Sequence, residues 1–341
     1  MKPTAIIIAA QLVSMVLGAT GLAQTAPSVR VVSLGDCRLS TGSMLPNCRV
    51  AYRAYGRLNA AHDNAVLIPT WLLGRSEDWA PLLNIDPLVD TTRFYTIVVD
   101  ALSDGLSSSP SNTPGAGAVF RDLTVGDMVE SQYRLLTERL GIHHLQAVIG
   151  FSMGGMQAIE WAVRYPSFVD RIVPIAGTPR VGAFNRLALS AMLDEIVAGR
   201  RAGIPPDSLW SHLARTEMLF IMTPIGLNAR GADSVARDIA ANARTYRAWD
   251  LNDYAAQIAA LRRYDVALDY GGDMHRAASR VRARVLAVYS WDDHMVTPDS
   301  MAEFARMISA DTLSVASSCG HVMVFCEQKR VGAATRAFIG R

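Results

Sequence analysis

The order of apolar and polar positions divides the chain into two kinds of segment. "RVVSLGD", "RVAYRAYG", "NAVLIPTW" and "RFYTIVVDAL" are short runs rich in Val, Ile and aromatic residues, separated by Gly, Pro, Asn and Asp. Such runs predict β-strands. "TVGDMVESQYRLLTERLGI" instead repeats apolar residues at helical spacing, through Met128, Val129, Tyr133, Leu135, Leu136 and Leu140, and stops at Gly141. The wholly apolar "LQAVIG" comes next. A helix followed by a strand buried on both faces predicts a parallel sheet covered by helices, and therefore an α/β fold.

The same rhythm continues with a helix, "MQAIEWAVRY", and a buried strand, "RIVPIAG". From about residue 178 to 275 the pattern turns helical and loses its buried strands: "FNRLALSAMLDEIVAG", "SLWSHLARTEMLFI", "ADSVARDIAANARTY" and "LNDYAAQIAALRRYDV". This predicts a helical insertion. Strand and helix alternate again through "VRARVLAVYS", "DSMAEFARMI", "DTLSVASS" and "QKRVGAATRAFI". "SDGLSSSPSNTPGAGA", Ser103 to Ala118, is a polar loop long enough to border a pocket.

The N-terminal stretch stands apart. "MKPTAIIIAAQLVSMVLGATGLAQTAPS" combines Lys2, an apolar run from about Ala5 to Leu22, and small residues before Pro27. It predicts a secretory signal peptide cleaved at Gly21-Leu22-Ala23, hence a periplasmic or secreted protein with no stable membrane insertion after cleavage. A run of this length leaves an uncleaved transmembrane anchor as the alternative. The predicted organisation is a signal peptide over 1–23, a core over 24–177, an inserted helical lid over 178–275 and the rest of the core over 276–341.

Composition adds two constraints. Half of the 341 residues are hydrophobic, enough for one large core, and a net charge of +2 excludes the strongly basic field of a nucleic-acid binder. Four cysteines in an exported chain suggest disulfides. Cys37 and Cys48 flank "RLSTGSMLPN", a turn between two strands, while Cys319 and Cys326 lie on either side of His321, where a bridge would stiffen the loop. Proximity favours these two pairings, with buried reduced thiols as the alternative. Their spacing matches no metal site, and neither metal nor cofactor is expected.

The chemistry centres on "IGFSMGGMQAIEWA", where Gly150, Gly154 and Gly155 surround Ser152 between a strand and a helix. In that context Gly-x-Ser-x-Gly places a serine on a sharp turn with its hydroxyl presented above the sheet edge. A serine hydroxyl needs a base, and the base a carboxylate to hold its tautomer. In this arrangement the chain order is nucleophile, acid, histidine, after the last strands. His62, His143 and His144 precede the serine, His212 and His275 fall in or at the edge of the helical insertion, and His294 adjoins the acid candidates. His321, just beyond "LSVASSCG", is therefore the expected base. For the acid, "VLAVYSWDDHMVTP" offers Asp293 first and Asp292 in reserve, the other capping the following turn. The oxyanion of acyl transfer needs two N–H donors. One is expected from the backbone of Met153, the other from Leu72, or alternatively Trp71, after "NAVLIPTW". Arg276, Arg280, Arg282 and Arg284 read as a solvated rim, and the many methionines as core and pocket filler.

"NAVLIPTWLLG", the stretch from "DLTVGDMVESQYRLLTERLGI" through "RIVPIAG", and the late "DHMVTP" and "GH" resemble the homoserine O-acetyltransferase-like branch of the α/β-hydrolase superfamily. The resemblance covers most of the chain past the leader and is strongest from Arg121 to Gly177. "YRAWDLNDYAAQIAALRRYDV" is similar to the end of that branch's lid. It implies a mostly parallel central sheet flanked by helices with an inserted lid, Ser152 as nucleophile, Asp293 as acid and His321 as base. Biosynthetic members move an acetyl group from coenzyme A to homoserine in the cytoplasm. Here an export signal and "PTWLLG", in place of a "HALTG"-like segment, depart from that setting. The expectation is an exported serine esterase acting on a small-molecule ester, with an O-acyltransferase as the alternative. Intact Ser, Asp and His disfavour a non-catalytic binding module. Pairing of two copies through the lid is a further expectation.

Overall fold

The computed structural model describes residues 26–340, so the predicted signal peptide lies outside the described residues. Among those residues the strands are β1 (Arg30–Ser33), β2 (Cys37–Arg38), β3 (Met44–Leu45), β4 (Arg49–Tyr55), β5 (Ala65–Pro69), β6 (Tyr95–Val99), β7 (Ala147–Phe151), β8 (Arg171–Ile175), β9 (Arg284–Tyr289) and β10 (Asp311–Ser314). Eight of them form one sheet in the order β1-β4-β6-β5-β7-β8-β9-β10. The first three pair antiparallel, and every pair from β6 to β10 is parallel. The parallel interior accounts for the apolar runs: β5 and β7 are buried at every position. Edge strands β1 and β10 are mostly exposed; β10 is correspondingly polar, whereas β1 leaves Val31 open to solvent.

Side chains alternate across the sheet, so each strand feeds two cores. Leu67 of β5 and Val148 of β7 join the core on one face, while Val66, Ile68, Ile149 and Phe151 join the core on the other. Helices cover both: α1 (Ala80–Asn84), α2 (Val125–Arg134) and α3 (Met153–Arg164) lie between β5 and β8 in the chain. Helix α2 starts at Thr124, whose hydroxyl accepts from the Asp127 N–H at 3.1 Å while Asp127 accepts from the Thr124 N–H at 2.9 Å.

Between β8 and β9 come α4 (Ala183–Arg201), α5 (Pro206–Ile221), α6 (Pro224–Arg230), α7 (Ala232–Tyr246), α8 (Leu251–Arg262) and α9 (Met274–Ala278). Helices α10 (Asp299–Met307), α11 (Met323–Cys326) and α12 (Gln328–Ile339) follow β9. Helix α1, of 5 residues, and α6, of 7, are too short for apolar periodicity to reveal.

The β2–β3 hairpin closes with a Cys37–Cys48 disulfide, and Cys319 is bonded to Cys326. These are the pairings that proximity favours. The arginines at 276, 280, 282 and 284 are all exposed.

Candidate active site

Strand β7 ends at Phe151 and α3 begins at Met153, which leaves Ser152 alone to turn the chain. It does so at φ 56° and ψ −120°, a conformation that costs a non-glycine residue of order 1–3 kcal/mol and persists only where neighbours enforce it. Its N–H donates to the Ile175 carbonyl at 2.8 Å, and its own carbonyl accepts from Met156 at 3.0 Å. The glycines make the turn feasible. A Cβ on Gly150 would stand 2.0 Å from the Gly154 carbonyl oxygen, one on Gly154 would stand 2.4 Å from that of Pro69, and one on Gly155 would press Gly177 at 3.1 Å. Strand, helix and the neighbouring β5 loop thus approach backbone to backbone.

His321 lies in the turn before α11, beside Gly320 at φ 59°. Its Nε2 is 2.9 Å from Ser152 Oγ and its Nδ1 is 2.8 Å from Asp293 Oδ2. A carboxylate can only accept, so Nδ1 carries the proton and Nε2 is left to accept from the serine hydroxyl. All three side chains are buried, Ser152 to 8%, His321 to 5% and Asp293 to 2% residual exposure, which keeps water from competing for these hydrogen bonds.

The two adjacent aspartates separate cleanly. Asp293 points inward and Asp292 is exposed. The turn-capping role expected of the second aspartate belongs to Asp293 itself, whose Oδ1 accepts from the N–H groups of Met295 at 2.9 Å and Val296 at 2.8 Å. One oxygen fixes the loop and leaves the other free for His321.

A narrow cavity of about 20 Å³ opens beside Ser152, lined by Leu72, Met156, Val181, Leu189, Leu261 and Met295 among others. Leu72 thus reaches the cavity, whereas Trp71 packs its ring against Trp79 and Phe151 at 5.2 and 5.7 Å. Neither the Leu72 nor the Met153 amide donates a hydrogen bond within the described residues. A larger groove of about 390 Å³ lies near the β2–β3 hairpin, lined by Cys37, Asp127, Glu130 and Arg134, and none of Ser152, Asp293 and His321 borders it.

The decisive comparison is with whole families. The sequence pattern of the alpha/beta hydrolase fold matches residues 64–327. This chain belongs to the α/β-hydrolase family. Within it, the chain falls in the homoserine O-acetyltransferase-like branch. It is 31% identical to the ethyl acetate hydrolase of Pseudomonas veronii, over 86% of this chain and 89% of that one. It is also 32% identical to a homoserine O-acetyltransferase of Haemophilus influenzae, over 82% and 89%. Among solved structures, the acetyl esterase MekB superposes with a TM-score of 0.84 at 28% identity, over 92% of this chain and 96% of that one.

Three residues of this α/β hydrolase that no motif announces stand behind the site. Gln157 on α3 donates to the Thr70 carbonyl at 3.0 Å, and Gln257 on α8 accepts from the Leu73 N–H at 2.9 Å. Asn185 on α4 donates to the carbonyls of His294 at 3.1 Å and Met295 at 2.9 Å, next to Asp293. The available signal was an isolated amide in an apolar helix, as in "YAAQIAALR". Helix α5 adds a buried carboxyl, Glu217, that accepts from the Tyr254 hydroxyl. Burial raises the Glu217 pKa, while hydrogen bonds from Tyr254 and Tyr246 act against the rise.

Proposed function

We propose that this chain is an exported serine hydrolase of short-chain carboxylic esters. Ser152 Oγ attacks the ester carbonyl as His321 Nε2 takes its proton, and Asp293 holds the imidazolium that results. The N–H groups of Met153 and Leu72 receive the oxyanion. The tetrahedral intermediate collapses, breaking the bond to the alcohol oxygen, which leaves with the proton from His321. Water then repeats the sequence on the acyl-enzyme: His321 deprotonates it, it adds to the carbonyl, and the acid departs as Ser152 regains its proton.

The observation that carries the choice of water is the lining of the cavity. Beside Ser152 stand Leu72, Met156, Thr178, Val181, Asn185, Leu189, Leu261, Met295 and Val296, none of them charged. The amide of Asn185 is already committed to His294, Met295 and Thr297. A homoserine acceptor would bring an ammonium and a carboxylate into this setting, and burying either without a partner is costly. The mostly apolar lining favours an uncharged acyl group beside Ser152. The name of the Pseudomonas veronii relative, ethyl acetate hydrolase, supports the same class of substrate.

The competing reading is acyl transfer to an alcohol, supported by the homoserine O-acetyltransferase relatives. The two differ only in the acceptor. The test is the fate of the acetyl group when the purified chain is given an aryl acetate, or acetyl-coenzyme A, with and without homoserine. Free acetate is expected in every case; O-acetylhomoserine formed faster than acetate would overturn the reading. Export rests on the N-terminal pattern, and fractionation of expressing cells tests it: a cytoplasmic chain with Met1 intact contradicts it.

A further inference from the structure

Helix α8 has one face that touches three parts of the centre. Asp253, Gln257 and Leu261 follow at four-residue spacing and so share a side of the helix. Asp253 accepts from the Ser111 N–H at 2.9 Å and the Ser111 hydroxyl at 2.6 Å, while its carbonyl accepts from the Ser103 hydroxyl at 3.0 Å. Leu261 lines the cavity beside Ser152. Between them, Gln257 uses both ends of its amide: Oε1 accepts from the Leu73 N–H at 2.9 Å and Nε2 donates to the Leu102 carbonyl at 3.2 Å. Gln257 is completely buried.

Its partner is a strained residue. Leu73 has φ 60°, the left-handed region that a side chain with a Cβ rarely adopts, and such a conformation needs neighbours that over-determine it. The other end of the same loop is held from α3, where Gln157 donates to the Thr70 carbonyl at 3.0 Å. The segment from Thr70 to Leu73 is therefore fixed at both ends by buried amides on different helices. Leu72 lies between the two anchors, with its N–H uncommitted among the described residues.

We propose that Gln257 is a positioning residue for the oxyanion: by clamping Leu73 to Leu102 it aims the Leu72 N–H at the site where the negative charge forms. The inference rests on the reading of this site as a serine hydrolase. It makes the inserted helices part of the reaction centre, since α8 supplies the clamp. Glutamine suits the task because it offers an acceptor and a donor from one planar group; methionine, of similar shape, offers no donor and only a weak acceptor, so it would leave the Leu102 carbonyl unpaired and the Leu73 N–H poorly satisfied.

The test compares the wild type with Gln257→Met and Gln257→Glu in aryl acetate hydrolysis and in inhibition by an aryl trifluoromethyl ketone, whose adduct with Ser152 carries an oxyanion. For Gln257→Met, kcat is expected to fall about 10- to 100-fold, with ketone affinity falling in parallel and KM changing less than about threefold. Gln257→Glu keeps the acceptor for Leu73 and is expected to retain more of both. A folded Gln257→Met with wild-type kcat and ketone affinity overturns the proposal, as does a loss of kcat with ketone affinity unchanged. Should Gln257→Met fail to fold, wild-type ketone affinity and kcat in Gln257→Asn, whose shorter side chain cannot reach both the Leu73 N–H and the Leu102 carbonyl, overturn it equally. A wild type that hydrolyses no ester and is not labelled at Ser152 refutes the hydrolase reading instead, so the two failures are distinct.

Discussion

Asp293 Oδ2 stands 2.8 Å from His321 Nδ1, while the adjacent Asp292 is turned to solvent. Asp293→Asn is therefore expected to lower kcat by about 10³- to 10⁴-fold, because an amide can present a donor to Nδ1 and favour the wrong tautomer. Asp292→Asn should stay within about threefold of the wild type, as expected of an exposed surface substitution. Steady-state hydrolysis of an aryl acetate by both variants checks the contrast. Equal losses would mean that the loop does not hold Asp293 as described.

The Cys319–Cys326 bridge closes a short loop around His321, with a sequence separation of 7. Chain-entropy arguments give such a loop about 2–3 kcal/mol of stabilisation. Cys319→Ser together with Cys326→Ser should lower the unfolding midpoint and, if His321 is the base as proposed, also reduce kcat, since the freed segment carries His321. Removing Cys37 and Cys48, neither of which lines the cavity beside Ser152, should lower stability while leaving kcat near the wild-type value. Thermal unfolding and turnover measured side by side separate the two bridges.

Burial pushes the Glu160 carboxyl up from 4.5 to about 7, even though the Arg164 guanidinium 3.0 Å away pulls it down. Between those two values the folded chain holds a proton that the unfolded chain has released. Stability should thus decline as pH rises from about 4.5 to about 7 and this contribution should level off above that. Glu160→Gln, which cannot ionise, removes its share of the slope. Urea unfolding at several pH values from about 5 to about 8 checks this, and an unchanged slope in the variant would contradict it.

Much of this architecture could be read from the sequence, for reasons that also mark where reading stops. Buried parallel strands such as β5 and β7 are unbroken apolar runs, and the long helices between β8 and β9 announce themselves by periodicity. The turn at Ser152 was legible because Gly-x-Ser-x-Gly stands between an apolar run and a helical pattern, although Gly154 and Gly155 also answer to the distant Pro69 and Gly177. The antiparallel direction of β1 and β4 was not, since an isolated strand carries no mark of its partner's direction. Nor could adjacency separate Asp292 from Asp293; only the packed loop, with Met295 and Val296 turned onto one carboxylate oxygen, does so. Gln157, Gln257 and Asn185 act through contacts 87, 184 and 109 residues away, which no local pattern encodes.

The central claim is that Ser152, activated by His321 2.9 Å away, is the nucleophile. Its most direct test is to treat the purified chain with a fluorophosphonate, locate the adduct by peptide mass spectrometry and follow aryl acetate turnover in the same sample. A single adduct on Ser152, formed in step with the loss of turnover and absent from Ser152→Ala, is the predicted result. Turnover that survives stoichiometric labelling, or an adduct on another residue, would contradict it.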